Sequence, residues 1–549
     1  MFPRAATLAP GPSRANVLAF AAKSVILSWG WRRSVIALVS GAIGALAMPP
    51  FGLFAMLIAP MSVAVWLIDG SYDRGESRGR LANLSAAFSS GWWMGFGYFV
   101  AGLWWLGAAF LVEADKFAWA LPLGVLLLPA GLAVFWGFGF ALARLLWSSG
   151  TLRVFSLAFG LGLAEWARGV LFTGFPWNDI GMGIGANLTL AQAASIVGLH
   201  GLTFLSIAIF VAPATLWRFS ESRFVMTPTA LAAVALASLA AFGAVRLSAL
   251  PSPTVPGVKL RLMQPNVSQG ASFAPENKDA ILSHYFSLSD RGSHDGLRGV
   301  THLIWPESAF PFILTHDAKA LGDIVDFLSD GTTLITGAAR AEDAGAQGAR
   351  YYNSIEVLDR DGLARPRYDK HHLVPFGEYV PFEDVLEKAG VTQFVEVPGG
   401  FTPGFGARLI QVPGLPKAMP LICYEAIFPT ELGDAITGAE RPDWMLNLTD
   451  DAWFGVTPGP YQHYAQARLR AIELGLPLVR VANSGVSAVV DGYGRETAFA
   501  PLDVETVVDA DLPKPLPPTW QSRFGSLNGF FIAFAFLLTA RVGKRLDFK

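Results

Sequence analysis

Three short segments contain the residue types that acyl transfer requires. The only cysteine of the 549-residue chain, Cys423, follows an apolar run, and two other unusual strings are Trp305-Pro-Glu307 and Tyr368-Asp-Lys370. A thiol with an ordinary pKa of about 8.5 is mostly protonated at neutral pH, so a carboxylate must take its proton during attack. An ammonium group and a backbone N–H can then stabilise the oxyanion of the tetrahedral intermediate. The three segments therefore supply a base, a cation and a sulfur nucleophile.

Each of these residues taken alone has a plainer interpretation. A cysteine behind an apolar strand is usually a small buried hydrophobe, and a single Glu or Lys is usually a solvated charge. All three, however, follow strand-like segments, and the active sites of α/β sheets gather at strand ends. We therefore favour catalysis. His371 and His372 offer metal ligands, but no further His or Cys cluster completes a set, so the sequence predicts no metal.

The composition indicates a membrane protein. Hydrophobic residues make up 52% of the chain and charged residues 15%, whereas soluble domains carry about 25% charged residues. The formal net charge of −2 argues against a nucleic-acid partner. Apolar runs of roughly 17–25 residues can span a bilayer. Such runs predict eight spans, near residues 34–50, 51–69, 84–112, 117–147, 154–174, 189–217, 227–248 and 524–541.

The basic residues predict how these spans are oriented. If there are eight spans, the basic residues of the connecting segments lie on one side of the membrane. They are Arg32, Arg33, Arg74, Arg78, Arg80, Arg144, Arg153, Arg218, Arg223, Arg541, Lys544 and Arg545. The positive-inside rule then places both termini in the cytoplasm and residues 249–523 on the opposite side, although a miscount by one would reverse the large segment. Residues 1–33 are predicted to be a cytoplasmic lead-in rather than a cleaved signal peptide. Glu165 and Arg168 form either a local pair or an intramembrane functional site.

The segment after residue 257 predicts a domain of a different class. Strand-like runs occur at 259–265, 303–305, 333–336, 354–358, 418–423, 444–447, 478–481 and 487–490. Helical patterns occur at 275–290, 317–329 and 461–475. Alternation of this kind predicts an α/β domain.

Several strings together make the chain resemble a known family. Besides the three opening segments, they are Ala164-Glu-Trp-Ala-Arg168, Phe172-Thr-Gly-Phe-Pro-Trp177, Tyr352-Asn353, Asp451-Ala-Trp-Phe-Gly455 and Asn483-Ser-Gly485. Residues 258–512 resemble the nitrilase (carbon–nitrogen hydrolase) superfamily, and the whole chain resembles the apolipoprotein N-acyltransferase family. The resemblance implies a multi-pass protein of the bacterial inner membrane. It would have seven transmembrane helices in 34–248, a periplasmic α-β-β-α sandwich in 258–512 and a final helix at 524–541.

The resemblance also assigns roles to residues. It makes Glu307 the base, Lys370 the oxyanion-stabilising cation and Cys423 the nucleophile that forms a thioester. It adds supporting residues, which are Glu378, Tyr424 with its backbone N–H, and Glu425. Candidate substrate-binding residues are Asn353, Trp453, Phe454 and Phe273, the last in a loop where the family often has a Trp. No cofactor or metal is implied.

The function implied by the resemblance is the last step of bacterial lipoprotein maturation. A fatty acyl chain passes from a phospholipid, typically phosphatidylethanolamine, to the α-amine of the diacylglyceryl-cysteine of an apolipoprotein, with ping-pong kinetics. A membrane-tethered amidase of the nitrilase type is one alternative, but a tether needs only one span. A transporter with an accessory domain is a second, but the sequence lacks the internal repeat that paired transporter halves show.

Overall fold

The structure is a computed structural model that falls into a helical region and an α/β region. It describes residues 14–71, 80–218, 226–269, 273–291, 296–343, 345, 348–381, 393–394, 399–429, 431 and 440–546. The principal helices of the first region are Arg14–Ile26, Gly30–Gly44, Ile58–Asp69, Arg80–Leu103, Leu128–Leu145, Arg153–Val170, Ala194–Val211 and Thr227–Leu247. The helix Leu527–Leu546 returns to this region at the end of the chain and packs on Arg153–Val170 and Ala194–Val211.

Five helical segments in the described residues are long and apolar enough to cross a membrane. They are Arg80–Val112, Ala114–Leu145, Ala194–Arg218, Thr227–Leu247 and Leu527–Leu546, and each coincides with a predicted span. The other three predicted spans coincide with helices that do not meet these criteria. Gly30–Gly44 has 15 residues and Ile58–Asp69 has 12, whereas a span needs roughly 17–25. Arg153–Val170 is long enough but contains three charged residues. The count of eight therefore stays a prediction.

Glycines allow the predicted Gly-rich span to pack closely against its neighbours. A Cβ at Gly41 would lie 1.9 Å from the carbonyl oxygen of Met94, and one at Gly91 would lie 2.6 Å from that of Trp136. Small residues at such positions let helix backbones approach each other, which is how helices associate without a hydrophobic driving force between them. Arg80–Leu103 is thus held between Gly30–Gly44 and Leu128–Leu145.

The α/β region contains two mixed sheets. The strands are β1 Leu260–Gln264, β2 His302–Ile304, β3 Thr333–Asp343, β4 Ala349–Asp359, β5 Gly362–Asp369, β6 Ala418–Ile422, β7 Trp444–Thr449, β8 Leu478–Ala482, β9 Ser487–Val490, β10 Glu496–Ala500 and β11 Thr506–Ala510. One sheet has the order β11-β1-β2-β3-β4-β5 and the other β10-β9-β8-β7-β6. The neighbours β1, β2 and β3 are parallel, as are β6, β7 and β8.

The two sheets stack face to face with helices outside them. Apolar residues of both sheets, among them Ile304, Ile355, Ile422 and Leu448, form the core between them. Helices Lys278–Asp290 and Ala318–Phe327 cover the first sheet, and Pro458–Leu474 covers the second. The predicted α/β domain with an α-β-β-α sandwich is therefore confirmed, and all eight predicted strands are present. Helix Pro458–Leu474 also packs against the helical region, so it joins the two parts of the molecule.

Candidate active site

The sandwich brings the three predicted catalytic residues together from three strand ends. Cys423 directly follows β6 and Lys370 directly follows β5, while Glu307 comes shortly after β2. Strands β2 and β5 belong to one sheet and β6 to the other, so the site lies where the two sheets meet. Cys423 has a φ of 50°, a left-handed conformation that is strained for a residue with a side chain. The sharp turn from β6 into the short helix Cys423–Ile427 requires this conformation.

A buried ammonium group lies between two carboxylates. Lys370 Nζ is 2.9 Å from Glu378 Oε2 and 3.6 Å from Glu307 Oε1, and all three side chains are almost fully buried. Burial of a charge is strongly unfavourable unless an opposite charge and hydrogen bonds compensate it. The predicted supporting residue Glu378 thus contacts Lys370 more closely than Glu307 does.

Neutral donors complete the coordination of these carboxylates. The amide of Asn353 donates to Glu307 Oε1 at 2.8 Å and to Glu378 Oε1 at 2.9 Å, which uses both of its N–H groups. The backbone N–H of Asp450 donates to Glu307 Oε2 at 2.8 Å, and that of Val374 to Glu378 Oε2 at 2.8 Å. Asn353, predicted as a substrate-binding residue, is therefore placed as the bridge between the two carboxylates.

The charges around Lys370 decide the protonation states in the site. Burial would lower the pKa of Lys370, but Glu378 and Glu307 outweigh it and raise that pKa, so the ammonium stays charged. Burial raises the pKa of Glu307; Lys370 opposes this effect and Glu378 adds to it. A carboxylate with a raised pKa is a stronger proton acceptor when it is ionised, which suits Glu307 to the role of general base.

The Cys423 thiol is held in its protonated form. Burial is the largest effect and raises the pKa of the thiol well above its ordinary value, and Glu307 adds to this increase while Lys370 opposes it. Nucleophilic attack by this sulfur therefore requires a base to remove the proton at the time of reaction.

Glu425 anchors the nucleophile turn to the segment that contains Lys370. Its Oε1 accepts hydrogen bonds from the Tyr368 hydroxyl at 2.8 Å and from the backbone N–H of His371 at 2.9 Å, and its Oε2 accepts from the N–H of Ile422 at 2.7 Å. Burial would raise the pKa of Glu425, but the hydrogen bond and charge of His371 outweigh it and lower that pKa. The ionised Glu425 carboxylate therefore links the segment after β5 to the turn after β6 by hydrogen bonds.

Tyr424 connects the nucleophile turn to the helical region. Its hydroxyl donates to the carbonyl oxygen of Gly174 at 3.2 Å, and its ring centroid lies 6.5 Å from that of Phe175. Its backbone N–H belongs to the first turn of a helix, where N–H groups have no intrahelical acceptor. This N–H can therefore donate a hydrogen bond to an oxyanion.

The predicted substrate-binding aromatic residues have different surroundings. Phe454 lies in an aromatic cluster shared with the helical region, with ring centroids 4.7 Å from Trp105 and 5.9 Å from Trp177. Trp453 is half-buried beside it. Phe273 packs on the core under the outer helices, and residues 270–272 before it lie outside the described part of the chain.

A buried polar cluster behind the nucleophile was missed from the sequence. His463 Nδ1 is 2.8 Å from Asp451 Oδ1, and Arg480 Nη2 donates to Asp451 Oδ2 at 2.7 Å. Cys423 Sγ, an Asp451 oxygen and a His463 nitrogen lie within 4.8 Å of one another, a spacing that a metal ion can bridge. The guanidinium of Arg480 already places a positive charge at this carboxylate, which disfavours a cation there. His463 is one of eight histidines, and no local motif distinguished it.

Glu165 and Arg168 form a fully buried ion pair in the helical region. Arg168 Nη2 is 2.7 Å from Glu165 Oε2, and neither side chain is exposed. Arg168 Nη1 also donates to the carbonyl oxygens of Phe175 and, at 2.8 Å, Trp177. The structure contains the predicted local pair, and this pair holds the loop that contacts Tyr424.

Comparison with known proteins gives matches along nearly the whole chain. Residues 40–212 match the family model of the apolipoprotein N-acyltransferase N-terminal domain, and residues 299–517 match that of carbon-nitrogen hydrolases. A Rhodopseudomonas palustris protein named apolipoprotein N-acyltransferase is 48% identical over 539 residues, covering 97% of this chain and 99% of the relative. A Bradyrhizobium diazoefficiens protein of the same name is 50% identical over 533 residues, covering 95% and 98%. A third, from Allorhizobium ampelinum, is 46% identical over 529 residues, covering 96% and 98%.

Proposed function

We propose that this chain, which belongs to the apolipoprotein N-acyltransferase family and is therefore an acyltransferase, completes the maturation of bacterial lipoproteins. The acyl donor is a membrane phospholipid, with phosphatidylethanolamine as the expected head group. The acceptor is the α-amine of the diacylglyceryl-cysteine at the start of an apolipoprotein. The observation that carries the proposal is the buried Glu307–Lys370 pair beside the Cys423 thiol. The turn that contains Cys423 is hydrogen-bonded to the helical region through Tyr424 and Gly174.

The first half-reaction loads the enzyme with an acyl group. Glu307 takes the proton of the Cys423 thiol while Sγ attacks the ester carbonyl of the phospholipid. The ammonium of Lys370 and the N–H of Tyr424 stabilise the oxyanion that develops. When the intermediate collapses, the carbon–oxygen bond breaks, the lysophospholipid alkoxide takes the proton from Glu307, and a thioester forms on Cys423.

The second half-reaction transfers the acyl group to the lipoprotein. The neutral α-amine attacks the thioester carbonyl, and the same two donors stabilise the new oxyanion. The carbon–sulfur bond breaks, an amide forms, and the proton lost by the amine passes through Glu307 to the sulfur. Because one nucleophile serves both steps, ping-pong kinetics are expected.

The burial of the site favours transfer to an amine over transfer to water. Glu307, Lys370 and Glu378 are each at most 7% exposed in their side chains. A site that excludes bulk water protects a reactive thioester from hydrolysis until the acceptor binds. The helical region favours lipid substrates over small amides, since an amidase that acts on small amides needs no such region.

The proposed function is tested with a labelled donor and a matched pair of acceptors. Purified protein receives phospholipid with a labelled acyl chain and a diacylated lipopeptide whose α-amine is either free or N-acetylated. We expect the free-amine lipopeptide to gain one labelled acyl chain in amide linkage, and the acetylated one to gain none. Free fatty acid as the main product, formed at the same rate with and without acceptor, would instead support the hydrolase.

The proposal also includes the topology deduced from the basic residues. Both termini are placed in the cytoplasm and residues 258–512 in the periplasm, with residues 34–248 and 524–541 in the inner membrane. We expect a reporter fused after residue 520 to be active only if it is a type that requires export, because seven predicted spans, an odd number, separate this junction from the cytoplasmic N-terminus. Activity of a reporter that works only in the cytoplasm, at the same junction, would show that the number of spans is off by one.

A further inference from the structure

One planar peptide unit links the nucleophile to a buried histidine. The carbonyl group of Cys423 and the N–H of Tyr424 belong to the same peptide bond, which is planar, so the two groups point in opposite directions when it is trans. His463 Nε2 lies 3.0 Å from the Cys423 carbonyl oxygen. A carbonyl oxygen only accepts hydrogen bonds, so Nε2 carries the proton in this contact. Whatever fixes that carbonyl also fixes the direction of the Tyr424 N–H.

The histidine itself is held on several sides. Its side chain is fully buried, and Nδ1 faces both Asp451 Oδ1 at 2.8 Å and Arg480 Nη2 at 3.2 Å. Burial would raise the pKa of Asp451, but Arg480 and His463 outweigh it and lower that pKa to about 2, so the carboxylate stays ionised. The ring of Trp177, from the helical region, lies 5.2 Å from the His463 ring. The imidazole is therefore fixed by polar contacts on Nδ1 and by packing against the tilted Trp177 ring.

The turn at Cys423 needs such support because its conformation is strained. A non-glycine residue with a φ of 50° persists only where the surroundings over-determine it. An oxyanion donor is effective only when it is already oriented, since its advantage over water is that it does not reorganise during the reaction. A small rotation of this one peptide would turn the Tyr424 N–H away from the oxyanion.

We propose that His463 is a positioning residue that orients the Tyr424 N–H toward the oxyanion by holding the Cys423 carbonyl. The inference rests on the proposed function, because it assumes that acyl transfer at Cys423 passes through an oxyanion. It assigns His463 no contact with substrate. The Asp451–Arg480 pair in turn holds His463.

A pair of amide substitutions separates this role from general support of the fold. In His463→Gln the side-chain amide reaches the position of Nε2 and can donate to the Cys423 carbonyl. In His463→Asn the shorter amide reaches only the position of Nδ1, so contacts with Asp451 or Arg480 persist and the Cys423 contact is lost. We expect His463→Asn to lower kcat for acylation by phospholipid about tenfold or more, with KM unchanged, since complete loss of an oxyanion donor costs about 100-fold or more. His463→Gln should recover most of the wild-type rate.

Alkylation of Cys423 by iodoacetamide is the second measurement. This displacement uses the same sulfur but develops no oxyanion, so we expect both variants to react at rates close to that of the wild type. Acylation of His463→Asn at the wild-type rate would overturn the proposal. Loss of alkylation in parallel with acylation would overturn it too, because the whole turn would then have changed. An equal loss of acylation in both variants overturns it as well. Failure of the wild type to form an acyl-enzyme, with normal alkylation, would instead refute the proposed function.

Discussion

Replacement of Cys423 by alanine is expected to abolish acyl transfer and to leave the protein folded. Cys423 is the only thiol of the chain, and no other side chain in the described site offers a comparable nucleophile next to Glu307 and Lys370. Removal of the nucleophile from a catalytic triad typically lowers the rate by about 10⁴-fold or more. The side chain is only partly buried at the edge of the core between the sheets, so loss of one sulfur atom is expected to cost about 1 kcal/mol of stability.

The measurement is transfer of a labelled acyl chain to a diacylated lipopeptide by the purified variant, with thermal unfolding as the control for folding. Cys423→Ser provides a matched control, because it retains a nucleophilic atom of similar size but much lower acidity. We expect it to be nearly inactive as well. Wild-type acylation by a folded Cys423→Ala protein would show that the acyl group never resides on this sulfur.

Substitution of Lys370 by methionine is expected to lower the acylation rate by about 100-fold or more, the usual effect of removing one oxyanion donor. Methionine matches the length of the side chain but has no charge. It also leaves Glu307 and Glu378 without the cation between them. Because Lys370 lowers the pKa of Glu307, its removal raises that pKa further, and a larger fraction of the base is protonated at neutral pH.

The pH dependence separates these two effects. The base is active when it is deprotonated, so a higher pKa moves the rising limb of the acylation rate to higher pH in Lys370→Met. Lys370→Arg keeps a positive charge and should therefore restore the position of this limb while remaining slow, since a planar guanidinium does not replace a compact ammonium group. Retention of more than about a tenth of the wild-type rate in Lys370→Met is incompatible with the proposed oxyanion role.

The sequence singled out Glu307, Lys370 and Cys423 because each lies in an unusual string at or beyond the end of a strand-like segment, and their catalytic roles stay a prediction. Cys423 follows the buried strand β6, and Lys370 follows β5, although β5 itself was not predicted. That strand contains Arg365, Pro366 and Arg367 and lacks an apolar run. Strands β10 and β11 were missed for a related reason, since most of their residues are at least partly exposed.

Contacts between distant segments could not be predicted from the sequence. The hydrogen bond from Tyr424 to Gly174 joins residues 250 positions apart, and the contact between His463 and the Cys423 carbonyl depends on where helix Pro458–Leu474 packs. Hydropathy likewise located the apolar stretches but did not indicate how each one folds. The predicted span at 34–50 contains most of helix Gly30–Gly44, a short 3₁₀ turn at Ala45–Ala47 and a loop.

Intact-mass analysis of the enzyme incubated with phospholipid alone is the most direct test of the central claim. We expect one added fatty acyl group on the wild type, an equal amount of released lysophospholipid, and no added mass on Cys423→Ala. A diacylated lipopeptide added afterwards should remove the acyl group from the enzyme and carry it in amide linkage. Acyl transfer to the lipopeptide by a wild-type enzyme that never gains this mass, even when the reaction is quenched rapidly, would contradict a thioester on Cys423.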